Sequence, residues 1–174
     1  MIIPYRANDG IPTFTDSFIK GLYRRAADEG LADLVFYDGF CRSEEDFLNM
    51  MKFGHNSLFV VALEDGIAGV VWLNNFEARS AQFHFCFFNS LRGKNALREG
   101  KDIVCELLYM ENNGPVFDLL TGVVPVANVS ANRWCRMIGF GVLGVLPNGV
   151  FNFRTGQSEP VKVYYAERGV YGKR

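Results

Sequence analysis

Residues 124–140 read VPVANVSANRWCRMIGF, and the reading of this stretch decides the fold. Val124 closes a largely apolar run that starts at Val116, so the segment opens on the end of a strand. Residues 128–138 then read as a short helix carrying Val129, Trp134 and Met137, and Gly139 supplies the residue type that most readily ends one. Residues 140–146 are extended again. The order is therefore strand, short helix, strand.

Upstream, residues 82–88 read QFHFCFF. Alternation places Phe83, Phe85 and Phe87 on one sheet face and Gln82, His84, Cys86 and Phe88 on the other, as expected of a central strand. Alternating Phe residues of this kind read as packing. Residues 89–95 (NSLRGKN) form a short polar connection, and a helix is expected from Ala96 to about Met110 through Leu97, Val104, Leu107 and Leu108. Asn112, Asn113, Gly114 and Pro115 break it before the run from Val116 to Val124. A crossover of this length joins parallel strands.

The N-terminal third reads as mainly helical. Thr15 and Asp16 start a helix to about Glu29 with Phe18, Ile19, Leu22 and Tyr23 on its apolar stripe, and Lys20, Arg24 and Arg25 are expected to face water. Ser43 starts a second helix, with Glu44, Glu45 and Asp46 at its positive end and Gly54 after it. Residues 57–63 and 67–73, joined by Glu64, Asp65 and Gly66, read as an antiparallel hairpin. At the other end, Pro147, Asn148 and Gly149 mark a turn, residues 150–153 and 161–166 read as closing strands, and 156–160 as the loop between them.

The chain has 174 residues, 49% of them hydrophobic and 21% charged, which suits one globular domain over 1–174. A formal net charge of −1 gives no electrostatic reason to expect nucleic acid as a partner. Cys41, Cys86, Cys105 and Cys135 show no zinc or redox spacing, no secretion signal is visible, and no apolar run is long enough for a membrane span. The expectation is a soluble cytoplasmic protein without metal or membrane partner. The expected fold class is α/β (α+β), a mixed sheet flanked by helices.

From about residue 43 to 166 this order resembles the Gcn5-related N-acetyltransferase (GNAT) family. RGKNAL at 92–97 is similar to the family's pyrophosphate loop, and 124–140 to its later coenzyme-binding region. There an Asn precedes a small residue by three positions and a Gly-Phe pair by eleven, as Asn128, Ala131 and Gly139-Phe140 do here. The resemblance implies a mostly antiparallel sheet whose parallel fourth and fifth strands splay to receive acetyl-coenzyme A. It implies the pyrophosphate over Arg92, Gly93, Lys94, Asn95 and Ala96, the pantetheine arm beside Phe85, Phe87 and Asn89, and Asn128 and Ala131 as further coenzyme contacts. The implied reaction is acetyl transfer to an amine of a small molecule or protein. Asn95 and Leu97 stand where the family usually has small residues, and Cys135 stands where many members have a Tyr that reprotonates the leaving thiolate. An inactive GNAT-shaped binding or structural protein is the alternative, and a homodimer is compatible with either.

The residues themselves leave the chemistry open. Arg92 and Lys94 before a helix suit a pyrophosphate, or form a solvated turn. His84 has the ordinary pKa of a general base near neutral pH, or is a hydrogen-bonded core histidine. Glu77 is the next carboxylate candidate for a base. Cys135 is a candidate acid, or a packing thiol.

Overall fold

Three short strands, β1 (Ile2–Pro4), β2 (Ala7–Asn8) and β3 (Ile11–Pro12), precede the helix α1 (Asp16–Asp28), whose Thr15 cap accepts the Phe18 N–H at 3.2 Å. The computed structural model describes residues 1–172. After a single-turn helix α2 (Ala32–Val35), Ser43 caps α3 (Glu44–Lys52) by accepting the Asp46 N–H at 3.1 Å. Next come β4 (Ser57–Leu63), β5 (Gly66–Glu77), β6 (Ser80–Phe87), α4 (Gly93–Leu108) and β7 (Leu119–Pro125). Helix α5 (Val129–Ile138) and the strands β8 (Gly141–Asn152) and β9 (Gln157–Glu167) complete the order. Seven strands form one sheet in the order β1-β4-β5-β6-β7-β9-β8, with β2 and β3 paired separately. This is the expected mixed, mostly antiparallel GNAT-type sheet flanked by helices, with β6 fourth and β7 fifth. No helix among the described residues is long and apolar enough to cross a membrane.

The chain forms two compact units, residues 1–74 with 84–92, and residues 75–83 with the chain from 93 onward. In the first, α1 and α3 bury Ile19, Leu22, Phe47, Leu48 and Met51 in one cluster with Leu58 and Val60 of β4, Val70 and Trp72 of β5, and Cys86 of β6. Burial of such side chains contributes about 1.5–3 kcal/mol each and is the main force on this layer. Gly69 is required by contact: a Cβ there would lie 2.5 Å from the Cys86 carbonyl oxygen.

In the second unit β6 and β7 pair in parallel from Ser80 opposite Leu119 to Gln82 opposite Thr121, as the crossover through α4 requires. Along its whole length β7 also pairs antiparallel with β9. Helix α4 buries Ile103, Val104, Leu107 and Leu108, and α5 crosses it where Gly100 meets Trp134. A Cβ on Gly100 would stand 2.4 Å from Trp134 Cζ2.

Four local expectations are corrected. Strand β1 pairs with β4 in a region read as helical, because its Ile-Ile-Pro run is too short to show a period. Helix α4 begins at Gly93, three residues before Ala96, so the last three residues of the polar connection form its first turn. Pro147, Asn148 and Gly149 do not reverse the chain. They form a bulge inside β8, between Leu146 opposite Val161 and Val150 opposite Glu159, with Asn148 at φ 54°. Residues 157–160, read as loop, belong to β9, and the reversal is made at 153–156.

Candidate functional site

In the first unit the central strand ends on a loop that is clamped from α1. Arg25, expected to face water, donates to the Ile67 carbonyl at 2.7 Å and to Ser90 Oγ at 3.1 Å, while its guanidinium lies 4.2 Å from the Phe88 ring centroid. Its Nε also pairs with Glu29 Oε1 at 2.9 Å. Glu29 Oε2 accepts the Asn89 backbone N–H, and Arg92 donates to Asn89 Oδ1. Asn89 and Arg92 are thus brought together as predicted, but the Asn89 N–H is engaged by a carboxylate. Sequence reading missed Arg25 and Glu29, because their partners lie tens of residues away along the chain. Phe85 and Phe87 touch at 5.3 Å between ring centroids.

His84 is held on two sides. Its ring stacks on Trp72 with centroids 4.9 Å apart and planes 4° apart, and Nε2 lies 2.9 Å from Asn74 Oδ1. With that oxygen accepting, Nε2 carries the hydrogen and Nδ1 carries the lone pair. Burial pushes the imidazole down from 6.5 to about 4, so the ring is neutral at pH 7.

In the second unit Gly93 enters α4 at φ 61°, and Gly93, Lys94 and Asn95 are exposed in the first turn, where backbone N–H groups have no intrahelical acceptor. Asn95 is helical here, so the left-handed residue of this turn is Gly93. The carbonyl of buried Ala96 accepts from Trp134 Nε1 at 3.2 Å, which ties this turn to α5.

Asn128 caps α5, its Oδ1 accepting the Ala131 N–H at 3.0 Å. Asn132, which the sequence did not single out, is the buried amide. It donates to the Pro125 carbonyl at 2.8 Å and the Asn128 carbonyl at 2.7 Å, and it accepts from Tyr164 Oη at 2.8 Å. The network fixes the exit of β7 against the start of α5 and against β9. Its only sequence signal was the i, i+4 spacing from Asn128.

Two candidates remain, Cys135 and Glu77. Cys135 is buried, and desolvation pushes its thiol up to about 12, the setting of a packed core residue. Glu77 is the exposed last residue of β5, before the two-residue turn that leads to Ser80 of β6, which pairs with Leu119. No group of three or more His, Cys, Asp or Glu among the described residues is placed to hold a metal.

A parallel pair joined by a helix with a basic first turn, followed by a capped short helix and an antiparallel closing hairpin, defines the GNAT fold. No family model matches the sequence, and no curated protein matches it. Solved structures match the fold. Spermidine N-acetyltransferase from Vibrio cholerae in complex with CoA and spermine gives a TM-score of 0.70 at 19% identity, over 98% of this chain and 97% of that one. A ribosomal L7/L12 alpha-N-protein acetyltransferase in complex with coenzyme A gives 0.69 at 14%, over 94% and 92%. The Salmonella typhimurium acetyltransferase that modifies the N-terminal serine of ribosomal protein L7/L12 gives 0.68 at 15%, over 95% and 94%. At these identities the likeness establishes the fold this chain shares with them.

Proposed function

We propose that this chain is an N-acetyltransferase that moves an acetyl group from acetyl-coenzyme A to an amine. The observation that carries the reading is the parallel β6–β7 pair joined through α4, whose exposed first turn offers unpaired N–H donors beside Lys94. Anions favour such a helix end, and an ammonium strengthens the contact. Arg92, Gly93, Lys94, Asn95 and Ala96 are assigned to the pyrophosphate, and Phe85, Phe87 and Asn89 to the pantetheine arm. Asn128 and Ala131 are assigned as further coenzyme contacts, and since Asn128 Oδ1 already serves as the cap, its Nδ2 is the group left to donate.

In the proposed reaction the amine nitrogen attacks the thioester carbonyl carbon, the C–S bond breaks, and the amide forms. His84, neutral with its lone pair on Nδ1, is assigned to accept a hydrogen bond from the amine and orient it. With a pKa lowered to about 4 it is a weak base at neutral pH, and the amine proton passes to water. Cys135 is given no proton-transfer role, because an acid with a pKa of about 12 donates poorly at neutral pH, and the thiolate takes its proton from water. The solved structures that share the fold are named for amine acceptors, a polyamine in one case and a protein N-terminus in another, which supports an amine here.

One observation favours a binding protein without turnover: Cys135, which stands where many members of the family resembled have a proton-donating Tyr, is buried with its thiol pushed up to about 12. Thermal unfolding with acetyl-coenzyme A tests both readings. The melting temperature should rise with ligand, and Lys94→Glu or Ala96→Glu should abolish the rise. No shift at millimolar ligand would sink both. Coenzyme A release against a panel of amines then separates catalysis from binding.

A further inference from the structure

Arg25 lies in the last turn of α1, and Glu29 is the residue that closes the helix. Between them they hold both exposed residues at the start of the segment that leaves β6. Phe88 and Leu91 anchor that segment by burial, while Asn89 and Ser90 between them face outward. Glu29 Oε2 accepts the Asn89 N–H, Arg25 donates to Ser90 Oγ at 3.1 Å, and the two side chains pair with each other at 2.9 Å. Arg25 is itself fixed by the Ile67 carbonyl at 2.7 Å and by the Phe88 ring. Exposed ion pairs usually contribute little, because both partners move. Here the planar fork of the guanidinium is engaged on every side, so the pair acts on the loop as a rigid element.

Charge matters here as well as geometry. Arg92 donates to Asn89 Oδ1, so a cation is tied to the same residue that Glu29 grips. Burial pushes the Cys86 thiol up to about 12, with Glu29 adding to the rise and Arg92 opposing it, so both charges are felt at one point. Arg25 neutralises Glu29 and leaves the loop with the net positive charge of Arg92. Without Arg25 the carboxylate would offset Arg92 instead.

We infer that Arg25 and Glu29 are a positioning and charge-setting pair for the anionic coenzyme, given the assignment of the 88–92 loop to acetyl-coenzyme A, on which this rests. Arg25 fixes the loop and masks Glu29, and the remaining field of the Glu29 carboxylate holds down the affinity of Arg92 for phosphate. Acetyl-coenzyme A and the coenzyme A left after transfer carry the same phosphates, so a moderated field speeds the departure of product. Neither residue is assigned a contact with the coenzyme. Each acts through Asn89, Ser90 and Arg92.

Isothermal titration of the full chain with coenzyme A tests the pair by the sign of each effect. Glu29→Gln keeps an oxygen for the Asn89 N–H and removes the charge, so coenzyme A should bind about 3-fold tighter or more, although the denaturation midpoint does not rise. Arg25→Gln should bind about 10-fold more weakly. Adding Glu29→Gln to Arg25→Gln should recover about 3-fold or more of that loss. A merely structural clamp gives the opposite pattern, since each lost contact would weaken binding and the double variant would be the weakest. Should Arg25→Gln fail to fold, Glu29→Gln decides alone. A wild type that binds no coenzyme A at millimolar concentration overturns the assignment of the loop and this inference with it. A wild type that binds, while Glu29→Gln binds no tighter or the double variant binds no tighter than Arg25→Gln, overturns the inference alone.

Discussion

His84 Nε2 and Asn74 Oδ1 lie 2.9 Å apart, which fixes the hydrogen on one ring nitrogen and the lone pair on the other. The flat stack on Trp72 removes the remaining freedom of the imidazole. Asn74→Leu deletes the acceptor and leaves a part-buried N–H unsatisfied, at a cost of about 1–3 kcal/mol. Long-range ¹⁵N–¹H NMR should show one tautomer in the wild type and a mixture in the variant.

The same ring sets a pH dependence. Its pKa is lowered on folding from 6.5 to about 4, so between those values the unfolded chain holds a proton that the folded chain does not. The stabilisation is complete above pH 6.5 and is lost as pH falls toward 4. Urea unfolding at pH 5 should find the wild type about 2 kcal/mol less stable than at pH 7.5, and His84→Gln should lose less over that range.

Asn132 and Tyr164 form one buried network rather than two contacts. Asn132→Ala removes three hydrogen bonds of a buried amide, but the Tyr164 hydroxyl keeps the Asn132 backbone carbonyl at 3.3 Å and the Pro125 and Asn128 carbonyls keep backbone N–H donors at 3.0 Å. The cost should be about 2 kcal/mol, whereas Tyr164→Phe should cost about 1 kcal/mol. The double variant should fall short of the sum, since both single changes remove the same Tyr164–Asn132 side-chain hydrogen bond. Denaturant midpoints of the four proteins give the coupling.

Gly100→Ala sets two effects against each other. Alanine gains about 1 kcal/mol inside a helix, but its methyl would fall 2.4 Å from a Trp134 ring anchored by its bond to the Ala96 carbonyl. Overpacking of a rigid ring costs about 1–3 kcal/mol, so the net change should be destabilising and Trp fluorescence should shift with the ring.

The element order and the helix ends were legible in the amino-acid sequence. Thr15, Ser43 and Gly139 sit at helix ends because capping is settled within a few residues, and the alternation at 82–88 shows a strand because the period is local. The resemblance in 124–140 pointed to the GNAT fold for the same reason, since its spacing is read along one segment. Only the tertiary structure decided what each polar group meets. It turned Arg25 from a solvated cation into a clamp on Ser90 and Ile67, gave the buried amide role to Asn132 while Asn128 capped the helix, and absorbed Pro147 to Gly149 into a bulge. Each of these depends on which distant segment lies opposite, and partners such as Ile67 for Arg25 or Tyr164 for Asn132 are brought within hydrogen-bonding distance only by the folding of the sheet and its helices.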